Sequence, residues 1–402
     1  MLHDLPPPTV IQDARGLARL MDDLDKQREI AVDTEADSFF SYREKVCLMQ
    51  ITVEDRDYLV DPLAGFDLAP LGEMLADPSK QKIFHDGEYD VLILKRSFGF
   101  RFKNLFDTRV AAAALGSKTP GLASVLKERF QLELDKSMQR SNWGQRPLTE
   151  KQVRYARLDT RFLITLMNEQ KTELARRGRM CIVEGECERL EQLEPPDASF
   201  DPEEWVRLKG ARALPPLERR VLRELFVLRE KLAEASDQPP FRIMNNETLL
   251  ELARTRPHVA DELARVPGFT WKQVRRLGDE VLETIQRALD LGPIARFPDL
   301  GSRDGTTELN ELEQELHERL KLKRKDWSEQ LDTDPAYVIN RHVLLRLAKE
   351  QPSSESALRN IEGLVEWQYD EFGREILETI AKFKDDVAAG RVETRRKRPW
   401  RG

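Results

Sequence analysis

A chain of 402 residues is too long for one compact core and implies two to four domains. Its 34% charged and 40% hydrophobic residues suit a soluble, helix-rich protein; no apolar run is long enough to span a membrane, and the start, MLHDLPPPTV, is not that of a signal peptide. A net charge of −7 does not advertise nucleic-acid binding, although local patches can differ in sign. The cysteines Cys47, Cys181 and Cys187 form no CxxC pair, which favours a reducing cytoplasm, and five scattered histidines make no zinc site, so any metal is expected to have oxygen ligands.

The first strand expected is 29–35, where apolar Ile30-Ala31-Val32 leads into Asp33, Thr34 and Glu35. Residues i and i+2 of a strand share a face, so Asp33 and Glu35 set two negative charges side by side. That costs energy unless a cation lies between them. The pair is therefore either a wet strand end or half of a metal site. Strands at 46–53 and 57–61 complete a meander, ended by Asp61-Pro62. A short helix over 71–75, a strand at 82–84 and a helix over 89–98 follow. Asp90 stands at the start of that last helix, where the dipole favours a carboxylate. Leu105-Phe106 predicts a short strand leading to Asp107-Thr108, which can cap the helix through Ala111–Ala114. Residues 121–130 read as helix. From Thr149 a 3.6-residue period predicts one long helix to about Arg177. On it Tyr155 and Asp159 are i and i+4 and share a face. They are either a helix-surface pair or a phenol poised beside whatever the carboxylate's metal has bound. Strands first and helices interleaved later predict a mixed sheet with helices on its faces.

From about residue 195 the texture changes. EPPDASFDPEEW reads as a linker, and strand signals vanish after it. Leu249-Leu250-Glu251-Leu252-Ala253 resembles Leu344-Leu345-Arg346-Leu347-Ala348, and Val281-Leu282-Glu283-Thr284-Ile285 resembles Ile376-Leu377-Glu378-Thr379-Ile380. Pro240 matches Pro335 and Asn245 matches Asn340, all at one offset of 95 residues. Chance matches would not agree on an offset, so the remainder reads as two copies of one all-helical module, joined around 292–305.

Four carboxylates and a tyrosine could hold two divalent ions, roughly 3.5–4 Å apart, for phosphodiester hydrolysis. The motifs VDTEADSFF, HDGEYDVLILKRSFGF and RPLTEKQVRYARLDTRFL, with NLFDTRVAAAAL between the last two, resemble the DEDD exonucleases of the subgroup ending in Tyr-x-x-x-Asp. Within it they resemble ribonuclease D and its eukaryotic exosome-associated relatives. The repeated modules resemble the HRDC domains that ribonuclease D carries after its nuclease domain, so the resemblance covers nearly the whole chain. It implies an α/β ribonuclease H-like exonuclease domain over 1–195, two all-α HRDC-type domains over 205–292 and 305–390, and a basic, disordered tail over 391–402.

The resemblance further implies a 3′-5′ exoribonuclease that releases nucleoside 5′-monophosphates. Its partners would be RNAs with single-stranded 3′ ends, such as tRNA precursors and other small stable RNAs, with no membrane and no obligate protein partner. Asp33, Glu35 and Asp159 would ligate the Mg2+ or Mn2+ that activates water. Asp33 would also touch a second ion supported by Asp90, and Tyr155 would orient the water. Thr34, Phe39 and His85 are candidate nucleotide contacts. Phe39 stands where related proofreading exonucleases wedge an apolar side chain against terminal bases, or simply packs its loop. His85 reads first as a supporting residue and second as a contact. Ala36 stands where ribonuclease D proteins often have Phe, which leaves the metal ligands untouched. Asp107 reads as a helix cap, and Arg275-Arg276 and Lys321 to Lys325 as candidate RNA contacts. A DNA 3′-5′ exonuclease using the same site and an inactive RNA-binding scaffold are the alternatives.

Overall fold

A computed structural model describes residues 6–197, 199–300 and 309–392. The basic run beyond Val392, and part of the linker expected around 292–305, lie outside the described residues. Six strands form one sheet: β1 (Thr9–Ile11), β2 (Glu29–Ala36), β3 (Val46–Val53), β4 (Arg56–Val60), β5 (Gln81–Phe84) and β6 (Leu105–Asp107). Their order is β1-β4-β3-β2-β5-β6. β3 pairs antiparallel with β4, while β1 runs parallel to β4, and β5 parallel to β2 and β6, so the sheet is mixed. Every residue of β3, VCLMQITV, is buried, as suits a strand covered on both faces.

Among the described residues eight α-helices accompany the sheet: α1 (Ala14–Leu24), α2 (Ala69–Ala76), α3 (Glu88–Phe98), α4 (Thr108–Ala114), α5 (Leu122–Phe130), α6 (Glu150–Arg161), α7 (Leu163–Arg177) and α8 (Met180–Gln192). The single helix expected from Thr149 to Arg177 is thus two. Phe162 separates them with φ −105° and ψ −2°, its ring 6.2 Å from that of Phe130. The apolar positions of α6 and α7 stay in step across this one residue, so their period runs through the break.

The remainder is all helical. The first bundle comprises α9 (Pro216–Ala235), α10 (Pro240–Ile243), α11 (Asn246–Thr255), α12 (Ala260–Leu263) and α13 (Trp271–Leu291). The second comprises α14 (Glu311–Gln330), α15 (Pro335–Val338), α16 (Arg341–Glu350), α17 (Glu355–Arg359) and α18 (Glu366–Ala388). Each helix of the second begins 95 residues after its counterpart. Left-handed residues recur at the same interval: Asp237 and Asp332, Arg256 and Gln351, Gly268 and Gly363. Backbone conformation repeated in this way makes the bundles two copies of one module. Each has its own core, around Leu225, Leu249 and Ile285 in the first and Leu320, Leu344 and Ile380 in the second.

The described residues fall into two compact units. One holds the sheet, its helices and the second bundle; the other holds Ala36–Lys45 and the first bundle. Within the former, α15 packs on α4 and α8, and α18 on α8.

Candidate active site

The opening motif sits where the sequence puts it. Ile30, Ala31 and Val32 are wholly buried and anchor β2, whose last residues include Asp33 and Glu35 on one face. α6 brings Asp159 to them. One carboxylate oxygen from each of Asp33, Glu35 and Asp159 lies within 4.8 Å of the other two.

Local chemistry fixes α6. It starts with a capping box between Thr149 and Gln152. Before it, Arg146 donates two bonds of 2.7 Å to Asp61 and another to Cys47 O, tying the preceding loop to the sheet. On the helix face opposite Tyr155 and Asp159, Arg157 donates to Asp57 Oδ2 at 3.0 and 2.5 Å. Asp57 also accepts from Thr52 at 2.9 Å, and Thr52 meets Thr160 at 2.8 Å. One side of α6 is thereby bound to β3 and β4, and the other is left to present Tyr155 and Asp159. The Tyr155 ring is steadied 5.9 Å from Trp143, and its hydroxyl hydrogen-bonds Asp159.

Asp90 arrives on the first turn of α3. It is not one of the mutually close trio, but it accepts from Thr34 Oγ1 at 2.5 Å and from the Thr34 backbone N–H. The loop into α3 is tight. Asp86 has φ +66°, and a Cβ on Gly87 would stand 2.6 Å from that of Phe84. Asp107 holds this loop. Its buried carboxylate caps α4 through Arg109 N (2.8 Å) and Val110 N (3.2 Å), as the sequence predicts. It also accepts from Asp86 N (3.1 Å) and Gly87 N (2.8 Å), so one side chain ties together the starts of α3 and α4.

Burial raises the pKa of each acid, and like charges add to it. Glu35 is pushed up to about 9, with Asp159 and Asp90 contributing. Asp159 rises to about 8 despite its bond from Tyr155. Asp33 stands well above the usual carboxylate range. Asp90 rises only to about 6, because the Thr34 hydrogen bonds stabilise its anion. The Tyr155 phenol is raised by burial and by Asp159, Glu35 and Asp33. The charges acting on Asp33, Glu35 and Asp159 are those of one another and of Asp90. A cluster so short of positive charge fits a divalent cation, and its all-oxygen donors suit Mg2+ or Mn2+.

The other predicted residues make contacts of their own. The Thr34 side chain is buried and serves Asp90. His85 Nδ1 is 2.9 Å from Thr108 Oγ1, whose hydroxyl donates to Phe84 O, so the ring donates there. Burial lowers the His85 pKa to about 4, which keeps it neutral. Phe39, 43% exposed, belongs to the unit of the first bundle, with its ring edge-on to Phe241 at 6.4 Å. Lys321, Lys323 and Lys325 each pair with a glutamate, whereas Arg275 and Arg276 are exposed on α13. Two cations went unnoticed in the sequence. Lys151 and Arg154 line a cavity of about 280 Å³ together with Tyr155, Asp159, Leu134 and Met138. Lys151 stands four residues before Tyr155 and three before Arg154, and that helical spacing is the signal that could have found them.

Comparison with known proteins gives the family. The model of a 3′-5′ exonuclease family matches residues 8–175, and that of the HRDC domain matches 218–285 and 313–380. Ribonuclease D of Desulfotalea psychrophila is 30% identical over 344 residues, covering 84% of this chain and 90% of that protein. The chain belongs to the ribonuclease D family. Ribonuclease D of Zymomonas mobilis is 30% identical over 400 residues, 95% of this chain and 97% of its own. The crystal structure of Escherichia coli RNase D shares the fold, with a TM-score of 0.65 at 24% identity over 94% of this chain and 99% of that one. As a ribonuclease D family member with a clustered acidic site, the chain is a metal-dependent 3′-5′ exonuclease. No described helix is long and apolar enough to cross a membrane.

Proposed function

We propose that this enzyme is a 3′-5′ exoribonuclease that trims the 3′ ends of structured small RNAs, such as tRNA precursors, and releases nucleoside 5′-monophosphates. The observation that carries the reading is the convergence of Asp33, Glu35 and Asp159 within 4.8 Å. The choice of RNA is supported by the relatives, which are ribonucleases D. The E. coli protein is described as an exoribonuclease involved in structured RNA processing. The domains are proposed as 1–195, 205–292 and 305–390, with a tail from 391. Three cysteines that form no disulfide support a cytoplasmic setting.

Asp33, Glu35, Asp90 and Asp159 are proposed to hold two divalent ions. Such ions, when bound, make an oxygen nucleophile available at neutral pH and offset charge building on the phosphate. Tyr155 orients the attacking water. Its phenol stays protonated, so it can donate to a water oxygen while Asp159 engages an ion. Lys151 and Arg154 offer positive charge to the phosphates, and Leu134 and Met138 an apolar wall to a base.

The test is a 5′-labelled RNA with a short single-stranded 3′ tail, incubated in Mg2+ beside a matched DNA. Shortening from the 3′ end is expected, abolished by chelator and by Asp33→Asn. No shortening in Mg2+ or Mn2+, or full activity of Asp33→Asn, overturns the reading. Preference for the DNA would leave the site standing and change the substrate.

A further inference from the structure

The two helical bundles are copies, so a matched corner whose residues differ points to work that only one copy does. Each bundle leaves its first long helix through a left-handed aspartate and enters a short helix: Asp237 before α10, Asp332 before α15. In the second bundle this corner is seated on α4. Thr333, 6% exposed, donates from Oγ1 to Ala113 O at 3.0 Å, adding a second bond to a carbonyl in the last turn of α4 that also accepts from Gly116 N at 2.9 Å. The Tyr337 hydroxyl accepts from Arg109 Nη1 at 2.9 Å, in the first turn of α4. The corner therefore holds α4 at both ends. The first bundle has Gln238 and Arg242 at these positions, and its Arg242 lies over the ring of Phe40 instead.

From α4 to the carboxylate site the route is short. The Asp107 cap of α4 also binds the Asp86 and Gly87 N–H groups that begin α3. The Arg109 guanidinium, held by Tyr337, lies 3.4 Å from Asp86 Oδ1. Asp90 follows three residues after Gly87.

We propose that the second helical bundle is an intramolecular brace for Asp90, with Tyr337 and Thr333 as positioning residues that act through α4, Arg109 and Asp107. The proposal rests on the reading of the four carboxylates as a divalent-ion site. Groups that orient the ligands of a metal control its affinity without touching it, and a ligand on the first turn of a short helix is only as fixed as that helix's start.

The test uses the full chain. Tyr337→Phe keeps the ring and loses the hydroxyl; Thr333→Val keeps the shape and loses the hydroxyl. Mn2+ binding without RNA is followed by the electron paramagnetic resonance of the free ion, and kcat and KM are then measured on labelled RNA. In each variant the Mn2+ dissociation constant should rise about three- to tenfold, the scale of one lost hydrogen bond. The KM for RNA should not change, and excess Mn2+ should restore kcat. Thr333→Ser, which regains the hydroxyl, should bind Mn2+ as the unaltered chain does. Unchanged Mn2+ affinity in both folded variants overturns the brace. So does a raised KM for RNA with metal binding intact, which would make the corner an RNA surface. An unaltered chain that binds no Mn2+ overturns the carboxylate reading itself, and this is seen before any variant is made.

Discussion

Metal binding and proton binding must compete in the acidic cluster, and the competition has a measurable size. The folded state holds Glu35 at about 9 and Asp159 at about 8, against ordinary values of 4.5 and 3.8. A carboxyl whose folded pKa is raised keeps a proton that the unfolded chain has released. Its contribution to stability is fully present below the ordinary pKa and is lost as the pH climbs to the folded pKa. Between the ordinary and the raised values, rising pH therefore costs the metal-free protein stability, on the order of 1 kcal/mol per pH unit for each proton still held. A divalent ion displaces those protons and cancels the loss. Melting temperature should therefore fall with rising pH in chelator, and the gain on adding Mn2+ should widen with pH. Calorimetric titration in two buffers of different ionisation enthalpy should register a net release of protons as the site fills. A gain from Mn2+ that is equal at every pH, with heats independent of buffer, would refute the assignment of ligands.

Three further outcomes are expected. Tyr155→Phe keeps the packing on Trp143 and removes the hydroxyl, so single-turnover cleavage should slow by about 1–3 kcal/mol of barrier; an unchanged rate removes Tyr155 from the chemistry. Asp57→Asn leaves Arg157, whose side chain is only 10% exposed, without its anion, while Arg161 keeps Asp55; the change should cost about 3 kcal/mol in urea unfolding. Gly87→Ala drives a methyl to 2.6 Å from Phe84 Cβ, so a loss of about 1–3 kcal/mol should appear together with weaker Mn2+ binding, because the displaced loop sets the start of the helix that carries Asp90.

Much of the nuclease half is legible because its signals are local. Val46–Val53 is a strand with the bounds the apolar run gives, and Asp33-x-Glu35 and Tyr155-x-x-x-Asp159 declare their faces by spacing alone. Ala14–Leu24 was legible and unread: Asp13 caps it, and Leu17, Leu20 and Leu24 recur at helical spacing. β1 was not, since three residues paired in parallel with β4 carry no period. The site's support is hidden for the same reason. Nothing local in Asp107 says that its carboxylate reaches back 20 and 21 residues to Gly87 and Asp86. Nor does Thr34 show that its hydroxyl serves Asp90, 56 residues on. Sequence displays the residues that carry chemistry and conceals those that aim them, because aiming is done by contacts between distant segments.

The duplicated bundle shows how such contacts evolve from one template. Both copies keep the same helix starts and the same left-handed turns, which fix the backbone and the core. They differ at the corner that follows the first long helix. There the first copy grips residues 36–45: Asp237 accepts from Tyr42 N at 3.1 Å, and Arg242 covers Phe40. The second grips α4 through Thr333 and Tyr337. Segment 36–45 follows directly on the β2 end that bears Asp33 and Glu35, and α4 begins at the Asp107 that anchors the loop of Asp90. Each copy thus holds chain that adjoins a candidate metal ligand, by the same corner and with different side chains. A helical appendage whose sole task was to hold RNA would leave that corner to solvent and concentrate cations elsewhere. In the second copy Lys321, Lys323 and Lys325 each pair with a glutamate, so its cations are engaged within the bundle as well as its corner.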